Sequence, residues 1–316
     1  MKYIIIDMEW NGAFTPAGYF DEIIEIGAVA LNEKLNVTGE FQRFVCPKQT
    51  KKLKGKIKEL THITNEDLKG AEGFITVYNK FKEWVGRTED NCLLSWSNTD
   101  VQVLYENLKR YDMLDDIYVI KNYCDAQQLC QQAMDISLNK QVSLSDFANL
   151  IEVDIGDVQL HRAINDARLT AKCLAKLFTP ELYAQFASRA DRVFYERMNF
   201  KCYNLQDLSD EQVIISDFMT KCPACDVFMK RMTRFTCKNK KHYAKYRCSI
   251  CGKTFNVAHT LKMTYDGLEH KKMPNEITAS AEQAFPDAQE SAPETAGQLP
   301  VETAEVTENM TGISSE

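Results

Sequence analysis

The chain opens with a run of apolar residues that passes directly into two acidic residues. Tyr3 to Ile6 precede Asp7 and Glu9, and short runs rich in β-branched residues are typical of a buried central strand. Since side chains alternate between the two faces of a strand, both carboxylates should point the same way. Their repulsion and desolvation cost free energy unless a cation lies between them. The pattern indicates either a strand that ends in solvated acids or a cation site.

The hydrophobic pattern continues as a meander of strands and then alternates strands with helices. Strands are predicted at 22–31, 38–45, 93–96 and 118–123, and helices at 73–85, after a capping sequence at 97–99, from 126, from 143, at 161–178 and at 180–199. A meander followed by such alternation is typical of a mixed sheet covered by helices. The sequence therefore predicts an α/β fold.

Charge and composition exclude some classes of protein. The chain has 316 residues with 44% hydrophobic and 26% charged residues, which is ordinary for a globular protein. Its net charge of −7 means that any nucleic-acid surface must be local. The first apolar run is too short for a signal peptide or membrane span, so a cytoplasmic protein without a membrane partner is predicted.

Two stretches are locally basic. Residues 48–58 contain six lysines and no acid, which is typical of a solvated loop, and their interest depends on what lies beside them. Residues 221–258 have ten cations against the single acid Asp226, with aromatic residues between them. Cations and aromatic rings together favour a nucleic-acid platform, although a solvated surface over a small aromatic core is the alternative. The predicted contacts are Lys230, Arg231, Arg234, Lys245 and Arg247.

Four of the eleven cysteines form two C-x-x-C pairs within the second basic stretch. Cys222 and Cys225 make the first pair, and Cys248 and Cys251 make the second. Four thiolates in this spacing suit one tetrahedral structural Zn²⁺, and the segment resembles a zinc ribbon. Cys237 and His242 lie between the pairs and are alternative ligands, although C-x-x-C geometry favours the outer four cysteines. So small a domain would need its metal to fold.

Three further polar residues join the first acidic pair. Asp100 lies where a predicted strand passes into a helix, and His161 and Asp166 lie at the start of the long predicted helix. Functional groups of open α/β sheets gather outside the ends of strands. Four carboxylates at one strand end require a divalent metal, and oxygen ligands suit Mg²⁺ or Mn²⁺.

The ordered set Asp7-x-Glu9, Asp100 and His161-x-Ala-x-x-Asp166 resembles the DEDDh family of 3′–5′ exonucleases, which has a ribonuclease H-like fold. The resemblance covers residues 1–178 and is to small enzymes of the KapD type and to exonuclease domains of the RNase T and DNA polymerase III epsilon type. It implies that Asp7 bridges two Mg²⁺ or Mn²⁺ ions. Glu9 and Asp166 would complete the first ion's site, Asp100 would hold the second, and His161 would be the general base.

The resemblance also implies a substrate and its contacts. It predicts hydrolysis of single-stranded or 3′-overhanging nucleic acid, with RNA preferred over DNA, to nucleoside 5′-monophosphates. Met8, Trp10, His62 and Ile63 are the expected contacts at the 3′ end, although Trp10 departs from the small residue of many relatives. The alternative is a nucleic-acid-binding or adaptor protein with a silent nuclease fold. The oligomeric state stays open.

These observations predict four regions. An exonuclease domain over 1–178 is followed by a helical connector over 179–217 and a zinc ribbon over 218–260. Residues 274–316 contain acids but no lysine or arginine and only one aromatic residue, Phe285. Such a composition cannot bury a core, so a disordered tail is predicted.

Overall fold

A computed structural model of the protein describes residues 1–16, 18–50, 52–86, 90–156 and 159–277. The chain divides into two compact units. The first comprises Met1–Cys202 with Thr264–Gly267, and the second comprises Tyr203–Met263 with the described residues from Leu268 to Ile277. No described helix has the length and apolar character needed to cross a membrane.

The first unit is built on a mixed six-stranded sheet, which confirms the predicted fold class. Its strands are β1 (Lys2–Thr15), β2 (Gly18–Leu31), β3 (Val37–Phe44), β4 (Asn91–Ser95), β5 (Asn122–Asp125) and β6 (Ala187–Arg189). They lie in the order β3-β2-β1-β4-β5-β6. The β1–β2, β2–β3 and β5–β6 pairs are antiparallel, whereas β1–β4 and β4–β5 are parallel. The opening apolar run thus lies at the centre of the sheet, as predicted.

Helices cover both faces of this sheet. They are α1 (Gly55–Thr61), α2 (Asn65–Leu68), α3 (Phe74–Val85), α4 (Thr99–Arg110), α5 (Ala126–Ala133), α6 (Leu144–Leu150), α7 (Ala163–Leu177), α8 (Pro180–Phe186) and α9 (Arg192–Asn199). Because β1 side chains alternate, Ile4 and Ile6 belong to the core with α3 and α4, whereas Ile5 belongs to the core with α5 and α7. The catalytic candidates of β1 therefore lie on a strand that is packed on both faces.

Three predicted elements differ from the structure. The strand predicted at 118–123 begins later, as β5 at Asn122, because Tyr118 and Val119 end a 3-10 helix over Leu114–Val119 and buried Asn91 bonds the carbonyl of Val119 and the N–H of Lys121. The helix predicted over 180–199 is interrupted by β6, which pairs with β5. A capping sequence is predicted at 97–99, but the side chain of Asn98, the N-cap residue of α4, makes no hydrogen bond that caps the helix.

The second unit contains another six-stranded sheet. Its strands are β7 (Tyr203–Asn204), β8 (Lys230–Arg231), β9 (Thr236–Lys238), β10 (Lys241–Arg247), β11 (Thr254–Thr264) and β12 (Gly267–Glu276). The main order is β12-β11-β10-β8, with β7 beside β11 and β9 beside β10. The predicted ribbon over 218–260 is therefore too short. Residues 274–276 end a strand rather than begin a tail, and 278–316 lie outside the described residues.

The start of α7 lies directly against the backbone of β2. A Cβ atom on Gly27 would be 2.2 Å from the carbonyl carbon of Ala163 and from the nitrogen of Ile164. In the sheet, Gly27 pairs with Asp7. The missing side chain at Gly27 therefore allows the first turn of α7 to approach the strand that carries the acids.

We expect Gly27→Ala to destabilise the first unit by about 3 kcal/mol or more, because backbone atoms cannot move aside as a flexible side chain can. Gly39→Ala in β3 is the matched control, since its Cβ would be 3.5 Å from Trp84 Nε1, an ordinary contact. Urea unfolding of both variants measures the difference. A Gly27→Ala protein as stable as the Gly39→Ala protein would contradict the close packing.

Candidate active site and metal centre

Three of the predicted acids meet partway along the central strand β1, just beyond its pairing with β4, rather than at the strand end that the sequence suggested. Asp7 and Glu9 project from β1, and Asp166 projects from the first turn of α7. One carboxylate oxygen of each lies within 4.8 Å of the others. Asp7 and Glu9 are half-buried and Asp166 is 9% exposed. Oxygen ligands gathered at this separation suit a hard divalent cation.

Asp100 adjoins this cluster without belonging to the three-way group. It lies in the first turn of α4 and is 6% exposed. The backbone N–H of Met8, between Asp7 and Glu9, donates to Asp100 Oδ1 over 3.0 Å. This bond fixes Asp100 against the strand, so all four predicted acids gather at one place.

The acids are poorly solvated and repel one another. Burial is the main cause that raises the pKa of Glu9 to about 8, with the charges of Asp166 and Glu25 adding to it. Burial likewise raises the pKa of Asp100 to about 7. The pKa of Asp7 is raised well above its usual value by burial and then by the charge of Asp100. A divalent cation would relieve the repulsion that raises these pKa values.

His161 lies just before α7 rather than within it. Its backbone is left-handed, with φ of 60°, so the predicted helix begins two residues later, at Ala163. The N–H of His161 donates to Asp166 Oδ2 over 3.1 Å, and its side chain is exposed. Burial raises the pKa of Asp166, and the charge of His161 opposes that rise. The backbone of His161 is thus fixed beside Asp166, and its side chain is in contact with solvent.

Glu25 is a fifth acid of this region, and it was not among the acids predicted for the site. It pairs with Glu9 across the β1–β2 ladder and is 0% exposed. Arg162 forms a two-point ion pair with it, at 2.9 Å from Nη2 and 3.1 Å from Nε. Ala163 N–H and Gln42 Nε2 also donate to it. An acid inside an otherwise apolar strand was the signal that could have revealed this pair.

Arg162 and Glu25 have a structural role at the site, because their ion pair joins β2 to the start of α7. Arg162 immediately precedes α7, and Glu25 lies in β2 beside Gly27. Their bonds join the strand to the helix start that carries Asp166. Breaking one partner of a buried ion pair leaves an uncompensated charge, so the pair should hold α7 in place.

The four predicted cysteines form a second cluster, in the second unit. The sulfur atoms of Cys222, Cys225, Cys248 and Cys251 all lie within 4.8 Å of one another. Cys222 Sγ and Cys251 Sγ are 3.7 Å apart, close to the edge of about 3.8 Å of a tetrahedron with Zn–S bonds of about 2.3 Å. The cluster therefore fits a four-cysteine zinc site.

Equivalent turns build the two halves of this cluster. Asp226 N–H donates to the Cys222 carbonyl and Gly252 N–H donates to the Cys248 carbonyl. Asp226 and Gly252 both have left-handed backbones, with φ of 52° and 70°. Backbone N–H groups, first that of Cys251 and then that of Ile250, lower the pKa of Cys248 to about 7. This favours the thiolate form that a zinc ion binds.

The alternative zinc ligands do not join the cluster. Cys237 is exposed in β9. His242 is buried in β10, where its Nε2 is 3.2 Å from the Leu205 carbonyl oxygen. Among the described residues, the sulfur group consists of the outer four cysteines.

The predicted contacts to the 3′ end are only partly available. The side chains of Met8 and Ile63 are 2% and 0% exposed and lie in hydrophobic cores, so only their backbone could meet a substrate, and the predicted contact stays a prediction. Trp10 is partly buried against the core with α3 and α4. His62 is exposed at the end of α1, with a left-handed backbone. Sequence spacing alone could not distinguish buried from exposed neighbours of the acids.

The basic stretch of the second unit separates by strand face. Along β10 the buried positions are His242, Ala244 and Tyr246, whereas Lys241, Tyr243, Lys245 and Arg247 are partly or fully exposed. Lys230 of β8 pairs with Arg247. The exposed face thus carries cations, as predicted.

Most of the aromatic residues in that stretch belong to the small core instead. Tyr246 and Phe255 are buried and Phe235 packs against them. Arg231 is exposed in β8, and its guanidinium lies 4.7 Å from the Phe235 ring centroid. Arg234 is exposed, and Phe228 is 55% exposed. The platform is therefore more cationic and less aromatic than predicted.

Comparison with known proteins agrees with this geometry. A family model described as Exonuclease, RNase_T, matches residues 4–174, which is more than half of the chain. DNA polymerase III subunit epsilon of Buchnera aphidicola subsp. Baizongia pistaciae is 27% identical over 179 residues, covering 54% of this chain and 68% of that protein. The probable 3′-5′ exonuclease KapD of Bacillus subtilis is 30% identical over 107 residues, covering 33% of this chain and 51% of KapD.

Solved structures share the fold. The nuclease domain of 3′hExo, a DEDDh family member bound to rAMP, has a TM-score of 0.50 at 22% identity and covers 55% of this chain and 90% of that one. A 3′-exonuclease recognising the 3′ end of a histone mRNA stem-loop has a TM-score of 0.51 at 19% identity, covering 60% and 91%. The predicted ribonuclease H-like fold is thereby confirmed for the first unit.

We expect the metal-free protein to lose stability as the pH rises from about 6 to about 8.5. The raised pKa values mean that the folded state binds protons which the unfolded state has released, so deprotonation favours unfolding. Asp7→Asn should reduce this loss by removing one of the repelling charges. Glu83→Gln, at an exposed position of α3, is the control. Urea unfolding in a chelator measures both slopes.

Added Mg²⁺ or Mn²⁺ should stabilise the parent more at the higher pH, and should stabilise Asp7→Asn less, because binding to the folded state shifts unfolding by mass action. Equal pH slopes and equal metal effects in the parent and Asp7→Asn would contradict the charge balance described for the cluster.

Proposed function

The chain belongs to the RNase_T exonuclease family, and from that membership we propose that it is a metal-dependent 3′–5′ exonuclease of the DEDDh type. It removes nucleoside 5′-monophosphates from single-stranded or overhanging 3′ ends. The observation that carries this proposal is the convergence of Asp7, Glu9 and Asp166, with Asp100 bonded to the same strand. A silent nuclease fold would not need to keep this costly group of acids.

The acids fit two divalent cations. Asp7, Glu9 and Asp166 would hold one, and Asp7 with Asp100 would hold the other, with Mg²⁺ or Mn²⁺ preferred for carboxylate oxygens. When bound, such ions activate a water molecule and neutralise the departing 3′ oxygen. The clustering of raised pKa values supports this fit, because the acids need positive charge to be ionised together.

His161 is the general base of this proposal. An imidazole can accept a proton near neutral pH, and here it is exposed beside Asp166. The attacking water would give its proton to His161, and the helix start fixed by the Glu25–Arg162 pair would keep the imidazole in reach. Arg162 itself is committed to Glu25 and is not a candidate base.

RNA is the proposed substrate class, with DNA as a poorer substrate. The support is the two fold neighbours, of which one is bound to rAMP and the other recognises a histone mRNA stem-loop. Hydrolysis rates on matched single-stranded RNA and DNA of the same sequence test this choice.

The second unit is proposed to hold the nucleic acid rather than to carry chemistry. Its four cysteines would bind one structural Zn²⁺, which would stabilise the small core beside them. The cations on the exposed face of β10 would then contact phosphates. Neutralising several phosphates gives binding that weakens steeply with salt.

We expect His161→Ala to lower the hydrolysis rate by roughly 10²- to 10⁴-fold while metal binding is kept, as for loss of a general base. Raising the pH should partly restore the variant, because hydroxide then replaces the assisted water. His62→Ala, which removes the other exposed histidine of the first unit's described residues near α1, should keep the parental pH profile. A His161→Ala profile parallel to the parent's would count against this role.

We expect the combined change Lys241→Gln, Lys245→Gln and Arg247→Gln to weaken binding of a long single-stranded RNA. The slope of log affinity against log salt should fall by about 2, since each single-strand phosphate contact contributes about 0.7. The control removes three exposed lysines elsewhere, Lys34, Lys69 and Lys140, by the same change. Fluorescence anisotropy in a chelator measures both slopes, and coincident slopes would leave the β10 face without this role.

A further inference from the structure

The β1–β2 hairpin continues beyond the acids and carries an exposed pair of aromatic rings. Phe14 and Tyr19 face each other across the ladder. Their ring centroids are 5.2 Å apart with an interplanar angle of 73°. Phe14 is 86% exposed and Tyr19 is 55% exposed. Aromatic rings are usually buried, so an exposed pair at a fixed position points to a binding surface.

The hairpin holds these rings in a defined arrangement. A Cβ atom on Gly12 would be 2.0 Å from the Tyr19 hydroxyl oxygen, so the glycine allows the Tyr19 ring to lie across the strand. Arg110 of α4 donates to Thr15 Oγ1 over 2.9 Å, and its guanidinium lies 4.8 Å from the Phe20 ring centroid. The rings therefore lose little freedom when they bind a partner.

The basic segment 48–54 is fastened to the same hairpin. Asn11, only 1% exposed, donates to the Lys52 carbonyl and accepts from the Lys54 N–H over 3.1 Å. Glu22, also 1% exposed, accepts the N–H groups of Lys48, Gln49 and Thr50. These two buried side chains explain why the lysine-rich segment lies here.

The fastening places a cation over the aromatic pair. Lys54 Nζ lies 5.5 Å from the Tyr19 ring centroid. A cavity of about 310 Å³ beside Tyr19 is lined by Phe20, Glu106, Lys109 and Arg110. Asp21 lies close to the Tyr19 hydroxyl and Glu106 lies in the cavity wall, so three cations face two acids. The local charge is weakly positive.

We propose that Phe14, Tyr19 and Lys54 form an upstream strand site, at which bases of single-stranded nucleic acid stack while its 3′ end lies at the acids. This proposal rests on the proposed exonuclease function. Aromatic rings supply stacking for any base and cations attract phosphates, which are the two parts of a single-strand platform.

Continuity with the acid cluster supports this occupant. Phe14 and Glu9 lie on one strand, five residues apart, which is about 17 Å at 3.4 Å per residue. Because this odd spacing directs their side chains to opposite faces of β1, the nucleic acid would pass over the edge of β1 beyond Ile5, where the pairing with β4 ends. That span corresponds to about five stacked nucleotides at 3.4 Å each. The upstream strand site should therefore matter for chains of six or more nucleotides and contribute little to shorter ones.

The test compares kcat/KM on an oligouridylate trimer and nonamer in Mn²⁺. Phe14→Ala with Tyr19→Ala should lower the value for the nonamer roughly 10- to 100-fold more than the value for the trimer, because stacking of one or two bases is lost. Phe14→Trp with Tyr19→Phe should retain the parental length dependence. Leu150→Ala, at the 56% exposed last residue of α6, is the surface control, and thermal unfolding checks that each variant folds.

Binding of a labelled nonamer in a chelator, measured by anisotropy, tests the upstream strand site without cleavage. A parent that binds the nonamer through Phe14 and Tyr19 but cleaves neither oligomer would contradict the proposed function alone. Equal losses on trimer and nonamer, or no loss on either, would overturn the upstream strand site. So would a parent dimer that Phe14→Ala with Tyr19→Ala converts to monomers in sedimentation, since the rings would then be covered by a second copy.

Discussion

The stability of the first unit depends on how the fold accommodates several acidic side chains at the centre of its sheet. Asp7, Glu9, Asp100 and Asp166 converge there, and Glu25 lies fully buried beside them. Among the described residues, Arg162 forms an ion pair with one of these acids, Glu25. Burial and mutual repulsion raise the pKa values of the other acids. Binding of a cation would therefore stabilise their ionised forms.

The same constraint explains the backbone around the acids. Gly27 permits α7 to touch β2, and the Glu25–Arg162 pair fixes the start of that helix. As a result, Asp166 and His161 lie beside β1, although they are more than a hundred residues away from it in the sequence. Site geometry here is set by close backbone packing and one buried ion pair, which are more rigid than loops would be.

Local motifs were predictable from the sequence, whereas their surroundings were not. The acid spacing on β1 and the two C-x-x-C pairs each lie within one element or turn, so sequence spacing fixed which side chains converge. The exposure of a side chain depends on tertiary packing, so sequence spacing could not show that the side chains of Met8 and Ile63 are buried. The strand β6 was missed because its three residues gain their structure only from pairing with β5. Glu25 could be recognised as an acid within an apolar strand, but its partner, Arg162, is far away in the sequence and could not be predicted.

The central claim is that the acid cluster performs stepwise hydrolysis from the 3′ end. Its most direct test is a 5′-labelled single-stranded RNA incubated in Mg²⁺ with the parent or with Asp166→Asn, resolved on a denaturing gel. We expect the parent to shorten the RNA one nucleotide at a time, which gives a ladder of products. Asp166→Asn should leave the RNA intact but still bind it in an anisotropy assay. A ladder of parental rate from Asp166→Asn, or cleavage inside the strand by the parent, would contradict it.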